Sequence, residues 1–350
     1  VVAPTLNGGR NVPRGIADAK QSSSTVCPSA IFTSDFGSGG AFLVREKALR
    51  SITEPGARPE GAVRSYLSSV VKALEELKVD HDNAKHLDDE IIAAIDNSRP
   101  IRDGYLEFIG RATGDLARYD LGNLLVEFLE QAASICQFRG TGSYREADFD
   151  GIRFAVMELF LYTVAWLLHR ERYEVLDTIL SETYVVSSLG GEQRKRRYGT
   201  FWFPLESIEQ YRNQRLKLRI TSPVALLLKQ RDPGTEVGFD SVKQVEFLLF
   251  LRHTFLGERG KRWKPRTLAY SNDPDFPSPL PLFHAAESPR RFRRLQAMLK
   301  VRDVAQLVAS FEESYPTPES RYLKLGDWPI SLVHLANMHE LSAEKFGDAS

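Results

Sequence analysis

From residue 61 to 77 the apolar side chains Val63, Leu67, Val70, Val71, Leu74 and Leu77 recur mainly at three- and four-residue steps, which gathers them on one face of a helix. The same spacing predicts helices over Phe42–Ile52, Leu87–Asp96, Ile101–Ala117 and Leu121–Phe138. Breakers separate them: Pro55-Gly56 after the first, and Asn97-Ser98-Arg99-Pro100 after Leu87–Asp96, with Pro100 suited to the first turn of the next helix. Asp120 stands where an N-cap is needed. At Phe154–His169, FAVMELFLYTVAWLLH, the polar face disappears, which predicts a helix opened by Asp148 or Asp150 and buried all round. Glu174–Leu180 follows closely enough to fold back on it as an antiparallel hairpin.

Beyond Leu189-Gly190-Gly191, a hinge or turn, the pattern is less regular. Thr200–Pro204, TFWFP, reads as a short extended piece, and Leu205–Leu218 as a helix. Ser222-Pro223 starts the helix Val224–Lys229, with Ser as N-cap and Pro at the first helical position. Asp240 or Ser241 opens Val242–Phe255, apolar on most sides, and Arg266–Tyr270 is expected as a short strand. After the proline-rich stretch 272–281, short helices are expected at Arg290–Leu299, Val304–Phe311 and Ile330–Met338. Strands do not alternate with crossover helices and no fixed-period repeat is present, so the fold class is mostly α: an irregular multi-helix array with few short strands. The expected organisation is a disordered tail or linker over 1–40, an acidic helical domain over 41–190 and a basic, more irregular helical domain over 191–345 packed on the first.

A hydrophobic fraction of 42% in 350 residues gives ample material for a core. The most apolar run has 16 residues, contains Glu158 and is flanked by charges, whereas a membrane span needs about 20 apolar residues. A buried helix is therefore expected and no membrane partner. Cys27 and Cys136 make no disulfide framework, and residues 1–40 show no basic segment followed by an apolar one as in a signal peptide, so a cytoplasmic location is expected. Residues 1–40, rich in Gly, Ser, Thr, Pro and Asn, read as a tail, a linker or the exit from an upstream domain.

Charge changes the picture. Lys+Arg and Asp+Glu are equal at 46 each, yet residues 60–190 hold 13 basic against 23 acidic side chains (13 − 23 = −10) and residues 191–300 hold 22 against 11 (22 − 11 = +11). The two halves either neutralise each other or face different partners. The basic clusters are Arg194, Lys195, Arg196 and Arg197; then Arg212, Arg215, Lys217 and Arg219; then Lys261, Arg262, Lys264 and Arg266; and Arg290, Arg291, Arg293 and Arg294. Tyr198, Phe201, Trp202, Phe203, Trp263 and Phe292 are interleaved with them. Guanidinium groups neutralise phosphates and flat rings stack on unpaired bases, which is the composition of a nucleic-acid groove. The same residues also serve as internal counterions of the acidic half, with Trp202 and Trp263 as core.

No metal site or cofactor motif is present among the recognised patterns. His81, Asp82, His86, Asp88 and Asp89 form a charged loop read as solvated and helix-capping, and His334 and His339 are five apart, off a common helical face. Gly37-Ser38-Gly39-Gly40 lacks the Walker lysine, and no G-x-S-x-G occurs. Glu158, the polar interruption of the most apolar helix, is expected to meet Tyr162 or an arginine of a neighbouring helix; a general-base role is the alternative.

Three stretches, Glu158–Leu180 (ELFLYTVAWLLHRERYEVLDTIL), Glu209–Arg231 (EQYRNQRLKLRITSPVALLLKQR) and Trp263–Tyr270 (WKPRTLAY) followed by Leu282–Ser288 (LFHAAES), together resemble the helical C-terminal region of large bacterial defence-type proteins with an effector domain upstream. In such proteins that unit is often a Toll/interleukin-receptor-like or sirtuin-like NAD-consuming domain. The resemblance covers residues 60–310 or so and implies sensing, scaffolding or oligomerisation in antiviral defence; it brings no catalytic residues to this chain. The function expected is therefore a non-catalytic helical interaction or scaffold domain, with a protein partner or self-association. A nucleic-acid-binding module using residues 191–300 is the first alternative. An enzyme assembled from Glu158, His169 or His253 is the second.

Overall fold

The computed structural model describes residues 39–341 apart from 55–57, 83, 115–119, 139–143, 188–192, 258–262, 271–277 and 326–327. The segment 1–38, and with it the expected tail and Cys27, lies outside the described residues, as does most of the proline-rich stretch.

The described fold is mostly α, as the periodicity predicts. The first half contributes α1 (Gly39–Thr53), α2 (Glu60–Glu75), α3 (Leu87–Asn97), α4 (Arg99–Ala112), α5 (Leu121–Ile135), α6 (Asp150–His169) and α7 (Tyr173–Ser181). Their starts follow local chemistry. Asp120 accepts a hydrogen bond from the Asn123 backbone N–H at 3.0 Å, and Pro100 occupies the first turn of α4. Every residue from Phe154 to Leu167 on α6 is buried, with α2, α3, α4, α5 and α7 of the first half and α10 (Phe239–Phe255) of the second half packed against it. The stretch Glu146–His169 is long and apolar enough to cross a membrane by composition alone, but 89% of its most apolar window is buried inside the protein. The α6–α7 reversal is tight because Glu171 takes the left-handed conformation at φ 55°.

The second half adds α8 (Asn213–Arg215), α9 (Pro223–Gln230), α10, α11 (Pro281–Ala285), α12 (Pro289–Leu299), α13 (Val304–Ser314), α14 (Leu332–Leu335) and α15 (Met338–Leu341). Ser222 caps α9 through a 3.2 Å bond from the Ala225 N–H. Two small antiparallel hairpins complete it: β1 (Tyr184–Ser187) with β2 (Gln193–Arg196), and β3 (Tyr322–Leu325) with β4 (Trp328–Ser331).

Four expectations need correction. Arg266–Tyr270 is a 3₁₀ turn, not a strand, because the Thr267 N–H and hydroxyl both bond the Glu246 side chain instead of a neighbouring strand. Thr200 and Phe201 close the 3₁₀ turn Tyr198–Phe201, and extended backbone begins only at Trp202. The expected helix over Leu205–Leu218 is a π-helical stretch, Ser207–Arg212, that passes into one short α turn. The expected helix over Ile330–Met338 begins as strand, with Ile330 opposite Leu323, and becomes helical after Ser331 caps α14.

The described residues from 39 to 341 fall in one compact unit, and the buried apolar residues of the acidic and basic halves belong to one cluster. The change of charge near residue 190 is therefore a change of surface and packing chemistry inside a common core.

Candidate functional site

The basic clusters divide into three fates. Arg212 and Arg215 end the π-helical stretch and meet the start of α3. Asp88, fully buried, accepts from Arg212 Nη1 at 3.1 Å and from Arg215 Nη2 at 2.6 Å; Asp89 accepts from Arg215 Nη2 at 2.7 Å and from Arg212. Arg294 on α12 pairs with Glu171 and lies over the Tyr173 ring at 5.2 Å. Arg266 is buried and gives Nη2 to the carbonyls of Phe203 and Pro204 at 2.6 and 2.9 Å, with the Trp202 ring 4.6 Å from its guanidinium. Trp263 is fully buried, packed on Phe160 and Tyr198 at ring distances of 5.9 and 6.3 Å.

The second group is exposed. Lys195, Arg196, Arg197, Arg219, Lys264, Arg290, Arg291 and Arg293 present their side chains to solvent. The third group, Lys261 and Arg262, lies outside the described residues, as does the Arg194 side chain. Of the thirteen candidates whose side chains are described, Arg212, Arg215, Arg266 and Arg294 are spent on internal contacts and Trp263 on the core.

Two buried ion centres result. In the first, Arg231 grips Glu158 with Nε to Oε1 at 2.9 Å and Nη2 to Oε2 at 2.8 Å, and Arg102 of α4 stands 3.5 Å from the same carboxylate. Glu158 therefore meets arginines, not a substrate pocket. His169 instead pairs with Glu236 at 3.0 Å at the far end of α6, and His253 is buried edge-on to Tyr198, so the three groups of an assembled enzyme site occupy three environments.

The second centre was invisible to spacing rules. Around Arg266 stand Glu209, at 3.4 Å, with Glu246 and Asp150 also within reach of its charge. Glu246 accepts from Thr267 Oγ1 at 2.7 Å, Glu209 from Ser222 Oγ at 2.7 Å, and Asp150 Oδ2 from Ser207 Oγ at 2.5 Å. Burial pushes all three carboxyls up, Glu246 to about 6, against the opposing hydrogen bonds and the charge of Arg266 for Glu246 and Glu209 and of Arg153 for Asp150; burial lowers Arg266 itself. The signal available in sequence was Glu246 inside an apolar helix, the same kind of interruption that singles out Glu158. Asp150 also lines a cleft of about 400 Å³ with Arg153 and Ser207, but Arg153 is held by Glu146, Asp150 and the Cys136 carbonyl.

A carboxyl raised in the folded state binds its proton more tightly there than in the unfolded chain, so stability falls as pH rises from about 4.5 to about 6 and then levels. That interval is worth about 2 kcal/mol. Urea unfolding across pH 4.5–7 should show this decline, and Glu246→Gln should flatten it; an unchanged slope in the variant would remove Glu246 as the cause.

The surface feature that sequence reasoning missed is the segment Tyr211–Arg219. Tyr211, Leu216 and Leu218 are 55%, 40% and 39% exposed, three of the six large apolar side chains so exposed among the described residues. Lys217 and Arg219 alternate with them and both take left-handed backbone, φ 52° and 54°. The conformation is held from below: Asn213 Nδ2 donates to the Ile220 carbonyl at 2.7 Å, the Ile220 N–H returns to Asn213 Oδ1 at 3.2 Å, and the Leu218 N–H donates to the Asn213 carbonyl at 3.0 Å. With Arg212 and Arg215 tied to Asp88 and Asp89, the loop is anchored at both ends. A hint lay in LKLR, Leu216–Arg219, whose period-two alternation conflicts with the helix predicted there.

Among the described residues no group of three or more His, Cys, Asp and Glu is arranged to hold a metal ion. His81 Nδ1 instead meets Asp148 at 2.8 Å. Comparison with protein-family models, curated proteins and solved structures finds no match to this chain.

Proposed function

We propose that this chain is a non-catalytic helical scaffold that associates with a second copy of itself through the Tyr211–Arg219 segment. The observation that carries the reading is the strained, anchored loop that holds Leu216, Leu218 and Tyr211 in solvent. Left-handed backbone at two non-glycine residues costs on the order of 1 kcal/mol each and is retained where the surroundings enforce it, a pattern concentrated at functional surfaces. Exposed apolar side chains framed by charge are the composition of a contact surface, not of a solvated loop.

The second copy is the occupant favoured by charge. Lys217 and Arg219 make no ion pair among the described residues, and neither do the exposed acids Glu75, Glu76 and Glu90 of the other half. A chain with zero net charge does not repel its copies, and Lys217 and Arg219 of one copy can pair with acids such as Glu75, Glu76 or Glu90 of another. A scaffolding role also accords with the resemblance to helical regions of bacterial defence proteins.

Sedimentation analysis of the purified chain at low salt is expected to show oligomers that dissociate as salt rises. Leu216→Glu/Leu218→Glu should be monomeric with its stability within about 0.5 kcal/mol of the parent, as for other exposed positions. A parent chain that stays monomeric at high concentration, or a variant that still assembles, overturns the proposal. So does an oligonucleotide that binds this face of a monomeric chain with an affinity falling steeply in salt, which would assign it to nucleic acid.

A further inference from the structure

A cleft of about 890 Å³ lies where the C-terminal ends of α10 and α13 meet β3, remote in sequence from the Tyr211–Arg219 segment. Its volume lies in the range of small-molecule sites, roughly 300–1,000 Å³. Aromatic side chains, Phe250, Tyr315 and Tyr322, supply flat apolar walls, and Trp263 and His253 lie at its buried base. The Trp263 indole N–H meets no acceptor there, an uncommon state for a buried donor.

The polar lining is cationic and rich in donors. Lys264 and Lys324 both line the cleft, both are exposed, and neither forms an ion pair among the described residues. Lys324 shares the exposed face of β3 with Tyr322, two residues away, so a ring and an ammonium group project side by side. Ser310 and Ser314, four apart on α13, bring two hydroxyls to the same helical face, and Glu313 is the carboxylate of the lining. Two ammonium groups and two hydroxyls in one lining match an oxyanion with several acceptor oxygens better than a single carboxylate, and the rings match a planar heterocycle.

We infer that this cleft binds a small phosphorylated ligand carrying a planar heteroaromatic ring, the chemistry of a mononucleotide. The proposal is independent of self-association and adds a ligand site to the scaffold. The recognition is electrostatic at the phosphate and apolar at the ring, so both parts are needed together.

The test is calorimetric titration of the full chain with adenosine 5′-monophosphate, with adenosine and inorganic phosphate as separate probes. The monophosphate should bind, and each fragment should bind at least about tenfold more weakly, a difference of about 1.4 kcal/mol. Lys264→Glu/Lys324→Glu changes only exposed side chains and should weaken monophosphate binding at least about tenfold, while Lys47→Glu/Lys72→Glu, on the exposed faces of α1 and α2, should leave it unchanged. Absence of binding by the monophosphate, equal affinity for inorganic phosphate alone, or full affinity in the Lys264/Lys324 variant each overturns the assignment. So does loss of affinity in the Lys47/Lys72 variant, which would place the anion elsewhere.

Discussion

Arg231→Ala is expected to destabilise the protein by about 3–5 kcal/mol, the cost of stripping the partner from a buried charge. Arg231 is 1% exposed and Glu158 is 0% exposed, inside the most apolar helix of the chain. Besides its two bonds to Glu158, Arg231 gives Nη1 to the Ile95 carbonyl at 2.7 Å and Nη2 to Ser98 Oγ at 3.0 Å, so one guanidinium joins α3, the α3–α4 junction and α6 to the end of α9. Truncation leaves the Glu158 carboxylate with Arg102 at 3.5 Å and a void around it. The double variant Glu158→Met/Arg231→Met removes both charges and keeps most of the volume. It should be more stable than Arg231→Ala alone, because a buried pair contributes little beyond what apolar packing supplies, whereas a broken pair is costly. Chemical denaturation of the three proteins measures this. A loss below about 1 kcal/mol in the single variant would mean that Glu158 finds other partners or solvent. If Glu158 were instead a general base with Arg231 as an accessory, the double variant would fold normally while losing an activity.

Apart from α6, which is buried all round, the helices of the first half were legible because each buries one face, and a buried face leaves a three-to-four residue period at Val63, Leu67, Val70 and Leu74. The caps at Asp120 and Ser222 were legible because they act within one turn of themselves. Legibility fails where a residue answers to a partner far along the chain. Arg266–Tyr270 has the composition of a strand, yet it turns because Glu246 captures Thr267. Arg212 and Arg215 have the composition of a phosphate site, yet residues 88 and 89, more than a hundred positions earlier, claim them. The hairpin β1–β2 was missed because QRKR on β2 carries no apolar alternation; it pairs with β1, whose Tyr184 and Val186 face the core. Charge segregation was therefore read correctly as a property of the chain, but whether the halves serve each other or an outside partner is decided residue by residue. Arg215 is an internal counterion and Arg219, four positions on, is exposed.

Trp263→Ala is expected to cost about 3–5 kcal/mol and Trp263→Phe less than about 1.5 kcal/mol. The indole is fully buried against Phe160 and Tyr198; Phe160 stacks on Phe201 at 4.5 Å, and Phe201 meets Tyr184 at 5.0 Å. Phe160 and Tyr198 thus pack directly on Trp263, with Phe201 and Tyr184 in the layer behind Phe160, and alanine would leave a cavity between the central helix and the second half. Phenylalanine keeps most of the ring and sacrifices an N–H that has no protein acceptor, so no hydrogen bond is broken. The prediction separates two roles for an aromatic residue in a basic sequence. A tryptophan that stacks on a nucleobase is exposed, its removal leaves stability within about 0.5 kcal/mol, and the loss of about 1–3 kcal/mol is seen in oligonucleotide binding. A tryptophan that fills the core loses stability first and loses any binding only through unfolding. Denaturation curves and low-salt oligonucleotide titrations on the same two variants give opposite patterns for the two roles. Preserved stability with lost affinity in Trp263→Ala would place the indole on a binding face, contrary to its packing against Phe160 and Tyr198.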